Sequence, residues 1–551
     1  MDRRLILLIC VLAAGFLRFW RLGEVPVGLH RDEAFLGYNA YSILRTGKDM
    51  SGHVLPLHLE SFLYSPAGYS YVAIPFLALF GLSEFAVRAP SAFFGTLAIV
   101  PFYFLVAYLF QKHTYGKLIA FLASFSLALS PWHINLSRVA TEHVVALFFD
   151  LVGILLFFIS IKSKRWKLLI LAFFAFAISL FTYQASRSFV PLLIPLLFLY
   201  CWKEIPKRLR WVPVGGYLIC IVVPVLAVLA SPTLSTRIRT LSLSATPEAQ
   251  LVIDEGSRED GTQGVPTIVS RPFHNKILGY ATQVVGNFFA HTTYDFLFTD
   301  HGFPDRYRVP GVGLLYFIEL PFLLFGFLML VRGETKLAGF LMGWMVLGLL
   351  GSALTFDDIP NLQRTLVVVP VFCLLIGLGA THAYVYLRRW RRVMLLGSFF
   401  IVAGFGYFIA LYLHEYYVHQ LVHRPWFREV GFRQLVPLVN SLAPNYQRIV
   451  MTDQEAAPLI FFLFYTPVAP ADFQRETRNI SLVHTSNIAF RQYQFVGDGC
   501  PGIPSKDHPI LPHVLYVNSG TCDVAKAAGV RLIETIRRGD NSPVFQLTEA
   551  M

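Results

Sequence analysis

Asp32 and Glu33 stand side by side in the stretch HRDEAFLGYNAYSILRTGKD, residues 30–49, just beyond a first apolar run. A carboxylate in a wet loop can take the proton of a hydroxyl as that hydroxyl attacks an electrophile, typically worth ~10²–10⁴ in rate. Around the pair lie His30, Arg31, Tyr38, Asn39 and Tyr41, a polar and aromatic mix suited to a carbohydrate. The plainer account is local: the two acids open an amphipathic helix at 34–44, capping its first turn and complementing its dipole. Capping needs one residue and the chain supplies two, so Asp32 and Glu33 are expected to be catalytic.

A second polar cluster is SPWHINLSRVATEH, residues 130–143, where Trp132, His133, Asn135, Arg138, Glu142 and His143 crowd a short connection between apolar runs. A turn with no further task does not require so many hydrogen-bonding and aromatic groups, although some serve as interface anchors. Arg88 and Arg364 each begin an apolar run at the same boundary. A boundary arginine can snorkel, but two converging near carboxylates would form a fork for the phosphate of a lipid-linked substrate. Deeper in apolar runs lie Asp150 and Glu319, where a charge costs roughly 2.5–3.5 kcal/mol on insertion scales. Asp150, eight residues after Glu142 and so about 80° round a helix, either lines the same cavity or is a protonated structural group.

The elements that must hold these residues are membrane helices. Of 551 residues, 55% are hydrophobic and only 15% charged, with a mean hydropathy of +0.55, more apolar surface than a soluble core uses. Runs able to cross about 30 Å of hydrocarbon fall near 4–21, 88–110, 117–131, 143–161, 168–185, 188–202, 212–230, 311–331, 337–354, 362–380 and 393–413. The net charge of +12 sits in short basic clusters, Arg3/Arg4, Lys112/Lys117, 162–167, 203–210, Arg332/Lys336 and 388–392. They set topology and do not suggest a nucleic-acid partner. With about eleven crossings all six clusters face the cytoplasm, provided that 65–82, with Pro66, Gly68 and Pro75, is interfacial or re-entrant. The first run lacks a small-residue cleavage site before Arg18 and Arg21 and is taken as an anchor.

This topology places a membrane domain at 1–413, with outer loops at 22–87, 132–142 and 231–310, and an extracytoplasmic tail at 414–551. The tail mixes an amphipathic helix at 427–442 with strand-like QRIVM and HVLYV and a hairpin around Gly539-Asp540-Asn541, the pattern of a small α/β domain. In the long loop, Asp300, His301, Asp305 and Arg306 make a candidate lid. Cys10, Cys201, Cys220 and Cys373 lie in or beside apolar runs as packing thiols. Cys500 and Cys522 share the tail, where free thiols and a disulfide are both open; export favours the disulfide. Zinc-type Cys/His spacing, a phosphate-binding glycine loop and a G-x-S-x-G elbow are all missing.

In combination, the outward Asp-Glu, the Arg-x-Pro-Ser at Arg88–Ser91, the Ser-Pro-Trp-His at Ser130–His133 with its following Arg138 and Glu142, and the late Arg364 resemble bacterial glycosyltransferase family 39. These are the dolichyl-phosphate-mannose-protein mannosyltransferase-like and aminoarabinose transferase-like enzymes of the GT-C superclass. The likeness covers most of 1–413 in layout, with local motifs at 28–48, 84–95, 130–143 and 361–370.

The resemblance implies a polyprenyl-phosphate-sugar donor, an acceptor hydroxyl on a protein, lipid or glycan, inversion at the anomeric carbon, and an aspartate base falling on Asp32. It matches the first-loop arginine to Arg88 and the second-loop acid to Glu142. Arg88, Arg364 and Arg138 are then the donor-phosphate candidates, and His30, Tyr38, Tyr64, Trp132 and His133 the substrate-binding ones. Many relatives carry Lys-Pro-Pro where this chain has Tyr64-Ser65-Pro66, so the lysine expected near the phosphate is missing. A phosphate leaving group stabilised by arginine makes a second acid dispensable. No metal or other cofactor is expected, although oligosaccharyltransferase-like relatives use a metal, for which Glu33 and Glu142 are available ligands.

Two other classes compete. A transporter or flippase of lipid-linked sugars would use Asp150 and Glu319 as coupling groups and show inverted repeats, which the chain lacks. A sugar- or peptidoglycan-binding sensor built on the tail would leave the polar loops unexplained.

Overall fold

The structure is a computed structural model, and it describes every residue except 1–2, 62–63, 206, 208–209, 231–242, 244–247, 424, 481, 483–487 and 505–508. Arg208 and the first part of the expected loop 231–310 thus lie outside the described residues. The chain forms two compact units, one of Met1–Leu17, Phe94–Leu136 and His143–Tyr412, the other of Arg18–Phe93, Ser137–Glu142 and Leu413–Met551. The first outer loop and the end of the second therefore belong with the tail, a grouping that a division at 413/414 does not express.

Each of the eleven apolar runs holds a helix. Among the described residues five are long and apolar enough to cross a membrane: Glu84–Leu109, Glu142–Ser163, Thr335–Ala353, Leu366–Leu387 and Arg391–Leu421. Gly116–Leu129 with Pro131–Ser137 makes a sixth if that pair, bent by 53°, is one span. Pro131 causes the bend, because its ring excludes the preceding turn and it has no N–H to donate. Leu7–Phe19, Trp166–Thr182 and Ser186–Cys201 are apolar but shorter, so length and composition alone do not reach eleven crossings. The protein is a multi-pass helical membrane protein.

Small residues let helices of the first unit meet backbone to backbone. A Cβ on Gly326 would collide with the Leu375 carbonyl oxygen, and one on Gly379 with that of Phe322. Helix Leu320–Gly333 is thereby locked onto helix Val369–Leu387.

In the second unit the helix Arg31–Thr46 follows the first apolar run. A hairpin pairs β1 (His58–Glu60) with β2 (Tyr64–Pro66). Helix Gly68–Phe80 comes next, 13 residues or about 20 Å. The tail builds a six-stranded mixed sheet from β3 (Arg448–Thr452), β4 (Ala489–Phe490), β5 (Tyr493–Val496), β6 (Val514–Ser519), β7 (Val530–Arg537) and β8 (Pro543–Ala550), in the order β4-β5-β3-β6-β8-β7. β3 runs parallel to β5 and β6, and β7 and β8 form the hairpin expected around Gly539. The amphipathic helix is Phe432–Leu442, five residues shorter at its start than expected, because a 3-10 turn at Pro425–Arg428 precedes it. Its Phe432 stacks on Phe461 at 4.0 Å and meets Phe545 edge-on. Cys500 and Cys522 are joined in a disulfide, Cα atoms 5.8 Å apart.

Candidate functional site

The Asp-Glu pair divides into two different residues. Asp32 and Glu33 occupy the second and third positions of helix Arg31–Thr46, whose N-cap is His30. His30 Nδ1 accepts the Asp32 N–H at 3.2 Å, and Glu33 Oε2 accepts the His30 N–H at 3.2 Å. The reciprocal cap is thus made by His30 and Glu33.

Glu33 is sealed. The Arg88 guanidinium grips it bidentately at 3.0 Å on each oxygen, and the Ala140 N–H donates to Oε1 at 2.7 Å. Burial by itself would raise this carboxyl; the Arg88 charge and hydrogen bonds from Arg88, Ala140 and His30 outweigh it and hold Glu33 below the usual carboxylate range. A carboxylate so stabilised in its charged form is a poor base, so the geometry gives Glu33 a structural task in place of the catalytic one expected.

Arg88 is fully buried, and beyond Glu33 it donates to the carbonyls of Leu22, Pro26 and Gly28. All five of its N–H donors are committed, which leaves none for a donor phosphate in this arrangement. Three residues on, Ser91 Oγ both donates to Thr141 O and accepts from Thr141 N, each at 3.1 Å. The Arg-x-Pro-Ser motif therefore clamps the first loop with Arg88 and segment 140–141 with Ser91.

Arg138 is likewise buried: its Nη2 donates to the Trp20 and Val25 carbonyls, its Nε to the Tyr416 hydroxyl, and the guanidinium lies over the rings of Tyr416 and Tyr417. It frames the loop and does not face an open anion site.

Asp32 keeps 31% of its side chain exposed, with Oδ2 3.4 Å from His30 Nδ1. Elsewhere in this unit Glu142 Oε1 accepts the Ser65 hydroxyl at 2.5 Å, which joins the second-loop acid to the Tyr64-Ser65-Pro66 segment. Tyr64 stacks on His58 at 5.4 Å. Tyr38 is buried, its hydroxyl donating to Val468 O at 3.0 Å, so it fastens helix Arg31–Thr46 to the tail.

Other expected residues fall in the first unit. Trp132 and His133 are fully buried, and Trp132 Nε1 donates to Leu362 O at 2.6 Å; both are packing residues of the bent leg. Arg364 reaches Thr355 and Asp357 and lines a small cleft with His143, Asp150, Tyr183, Ser186 and Gln363. Glu319 accepts from Ser126 Oγ and Tyr316 N at the start of helix Leu320–Gly333. In the long loop Asp300 and Asp305 are both tied to Arg308 at 2.5 Å.

Two residues were not anticipated. His291, fully buried, accepts the Asn361 N–H on Nε2 and contacts Ser352 Oγ and Asn287 O, which fixes the start of the Arg364 segment. Glu429 accepts the Arg31 N–H at 2.5 Å and sits 3.7 Å from His30 Nε2. It lies 398 residues from its partner, and nothing local in the sequence marks it. His414, Glu415 and His419 offer metal-type atoms spread over up to 4.8 Å. That exceeds the roughly 4.2 Å two donors on one zinc can span, and Glu415 already pairs with His419 at 2.7 Å.

Residues 65–228 match the family model described as dolichyl-phosphate-mannose-protein mannosyltransferase. Among solved structures the chain is similar to ArnT from Cupriavidus metallidurans bound to undecaprenyl phosphate, with 12% identity and a TM-score of 0.54 over 99% of this chain and 97% of that one. The apo state of the same protein gives 13% and 0.50 over the same shares. The Archaeoglobus fulgidus oligosaccharyltransferase in complex with zinc and sulfate gives 13% and 0.49, over 84% of this chain and 61% of its own. No curated protein matches the sequence at a significant level.

These features define a multi-pass membrane protein of GT-C fold carrying a sheet-containing tail. The resemblance drawn from the loop motifs holds at the level of the fold, which the chain shares with the ArnT structures, and residues 65–228 are similar to the dolichyl-phosphate-mannose-protein mannosyltransferase family.

Proposed function

We propose that the protein transfers a hexosyl or pentosyl group from a polyprenyl-phosphate-linked donor to an acceptor hydroxyl, on the extracytoplasmic side of the plasma or inner membrane, with inversion. The acceptor is a protein, a lipid or a glycan. The observation that carries the reading is the contrast within the pair: Glu33 is buried and bound by Arg88, while its neighbour Asp32 keeps 31% of its side chain exposed. The similar ArnT structure that holds undecaprenyl phosphate supports the donor class.

In the reaction the acceptor oxygen attacks the anomeric carbon opposite the phosphate. Asp32 takes the hydroxyl proton, and the bond to phosphate breaks with its electron pair leaving on the phosphate oxygen. Arg88 and Arg138 hold the loop that carries the base, and Glu142 with Ser65 shapes the acceptor side. No metal step is required.

Asp32→Asn tests the assignment. The side chain is not the cap, so folding should be nearly unchanged, while sugar transfer from a synthetic polyprenyl-phosphate donor falls at least about a hundredfold. Near wild-type transfer by the purified variant would remove Asp32 from the role.

A further inference from the structure

We infer that Glu429, on the segment leading into the tail, is a positioning residue for Asp32, acting through the His30 ring. The inference rests on Asp32 being the base, and adds to it a carboxylate–imidazole–carboxylate array drawn from two distant parts of the sequence.

The ring's protonation follows from its contacts. His30 Nδ1 accepts the Asp32 backbone N–H at 3.2 Å, so in the neutral ring the proton is on Nε2. Nε2 faces Glu429 Oε1 at 3.7 Å, and Nδ1 faces Asp32 Oδ2 at 3.4 Å. A second proton on the ring would place an imidazolium between two carboxylates. The other charged group at the array is Arg31, whose Nε is 3.6 Å from Glu429 Oε1. Glu33 meets His30 only at its backbone N–H.

The segment holding Glu429 is built for this contact. Glu429 is only 9% exposed in its side chain, and its backbone adopts φ 52°, a left-handed conformation that residues with a Cβ seldom take. Gly28, at φ 79°, lets the Arg428 carbonyl approach, since a Cβ there would sit 2.8 Å from that oxygen. The Arg31 N–H on Glu429 at 2.5 Å then joins this segment to the first turn of the helix that bears Asp32.

Two effects on the base follow. Glu429 holds the first turn of the helix through the Arg31 N–H, and its carboxylate faces the Nε2 edge of the ring whose Nδ1 accepts the Asp32 N–H. Burial pushes the Glu429 carboxyl up, against His30 and Arg31, and the Asp32 carboxylate adds to that push by a Coulombic repulsion that is mutual.

The test compares Glu429→Gln, which keeps an oxygen for the Arg31 N–H, with the unmodified full-length protein in sugar transfer from a synthetic polyprenyl-phosphate donor. The turnover number should fall about tenfold, KM for donor and acceptor should stay within about twofold, and the acid limb of the kcat profile should move to lower pH. In the Asp32→Asn background the same change should leave the residual rate unaltered, because a residue acting through the base is silent once the base is gone. His30→Asn, whose amide oxygen can still cap the helix, should mimic Glu429→Gln.

A Glu429→Gln protein with an unchanged kcat profile, or one whose rate loss persists in full without Asp32, would overturn the inference while leaving the base assignment standing. Failure of the base assignment would appear separately, as activity in Asp32→Asn alone. If Glu429→Gln does not fold, the His30→Asn profile decides, and a wild-type profile there is equally fatal.

Discussion

At the scale of single residues, two neighbouring carboxylates acquire opposite tasks from what surrounds them. Glu33 and Arg88 form a buried ion pair, and removing one partner of such a pair costs about 3–5 kcal/mol because the other charge is left without compensation. Arg88→Ala should therefore show as a large loss of thermal stability in detergent, with donor KM unchanged in the protein that remains folded. An unaltered melting temperature with a raised donor KM would return Arg88 to the phosphate. Because the folded Glu33 carboxyl lies below its ordinary value, its contribution is complete above an unfolded pKa of about 4.3. It is lost as pH falls through the lower folded value.

At the scale of elements, the close packing of helices Leu320–Gly333 and Val369–Leu387 depends on missing side chains. Gly379→Ala should cost at least about 1–3 kcal/mol through overpacking, and Gly379→Leu should prevent accumulation of folded protein. Gly339→Ala, where a Cβ meets nothing within 4 Å, is the control and should melt as the parent does. Equal melting temperatures for Gly339→Ala and Gly379→Ala would show that these helices have room to spare. The bend at Pro131 is the other element-level device: it turns the leg carrying Trp132 and His133 inward, where both are fully buried.

For the whole molecule, the parity of the basic loops predicts a sidedness that labelling can read. In a variant without Cys10, Cys201, Cys220 and Cys373 but with the Cys500–Cys522 bridge intact, Tyr115→Cys should be protected from an impermeant thiol reagent in intact cells. Gln454→Cys should react. Labelling at both positions would invert the loops that follow 65–82.

What the sequence by itself determined is whatever depends on local pattern. Apolar runs placed the helices, strand-like runs placed Arg448–Thr452 and Val514–Ser519, and the loop motifs led to the GT-C fold. What only the tertiary structure decided is which polar groups face one another. Arg88 reads as a boundary arginine until Glu33, Leu22, Pro26 and Gly28 converge on it, and Glu429 has no meaning until the chain returns 398 residues later to Arg31. Hydrophobic periodicity acts along the chain and can be read there. Satisfying a buried charge requires partners from anywhere in space, and a linear sequence does not show which of its many acids and carbonyls will arrive.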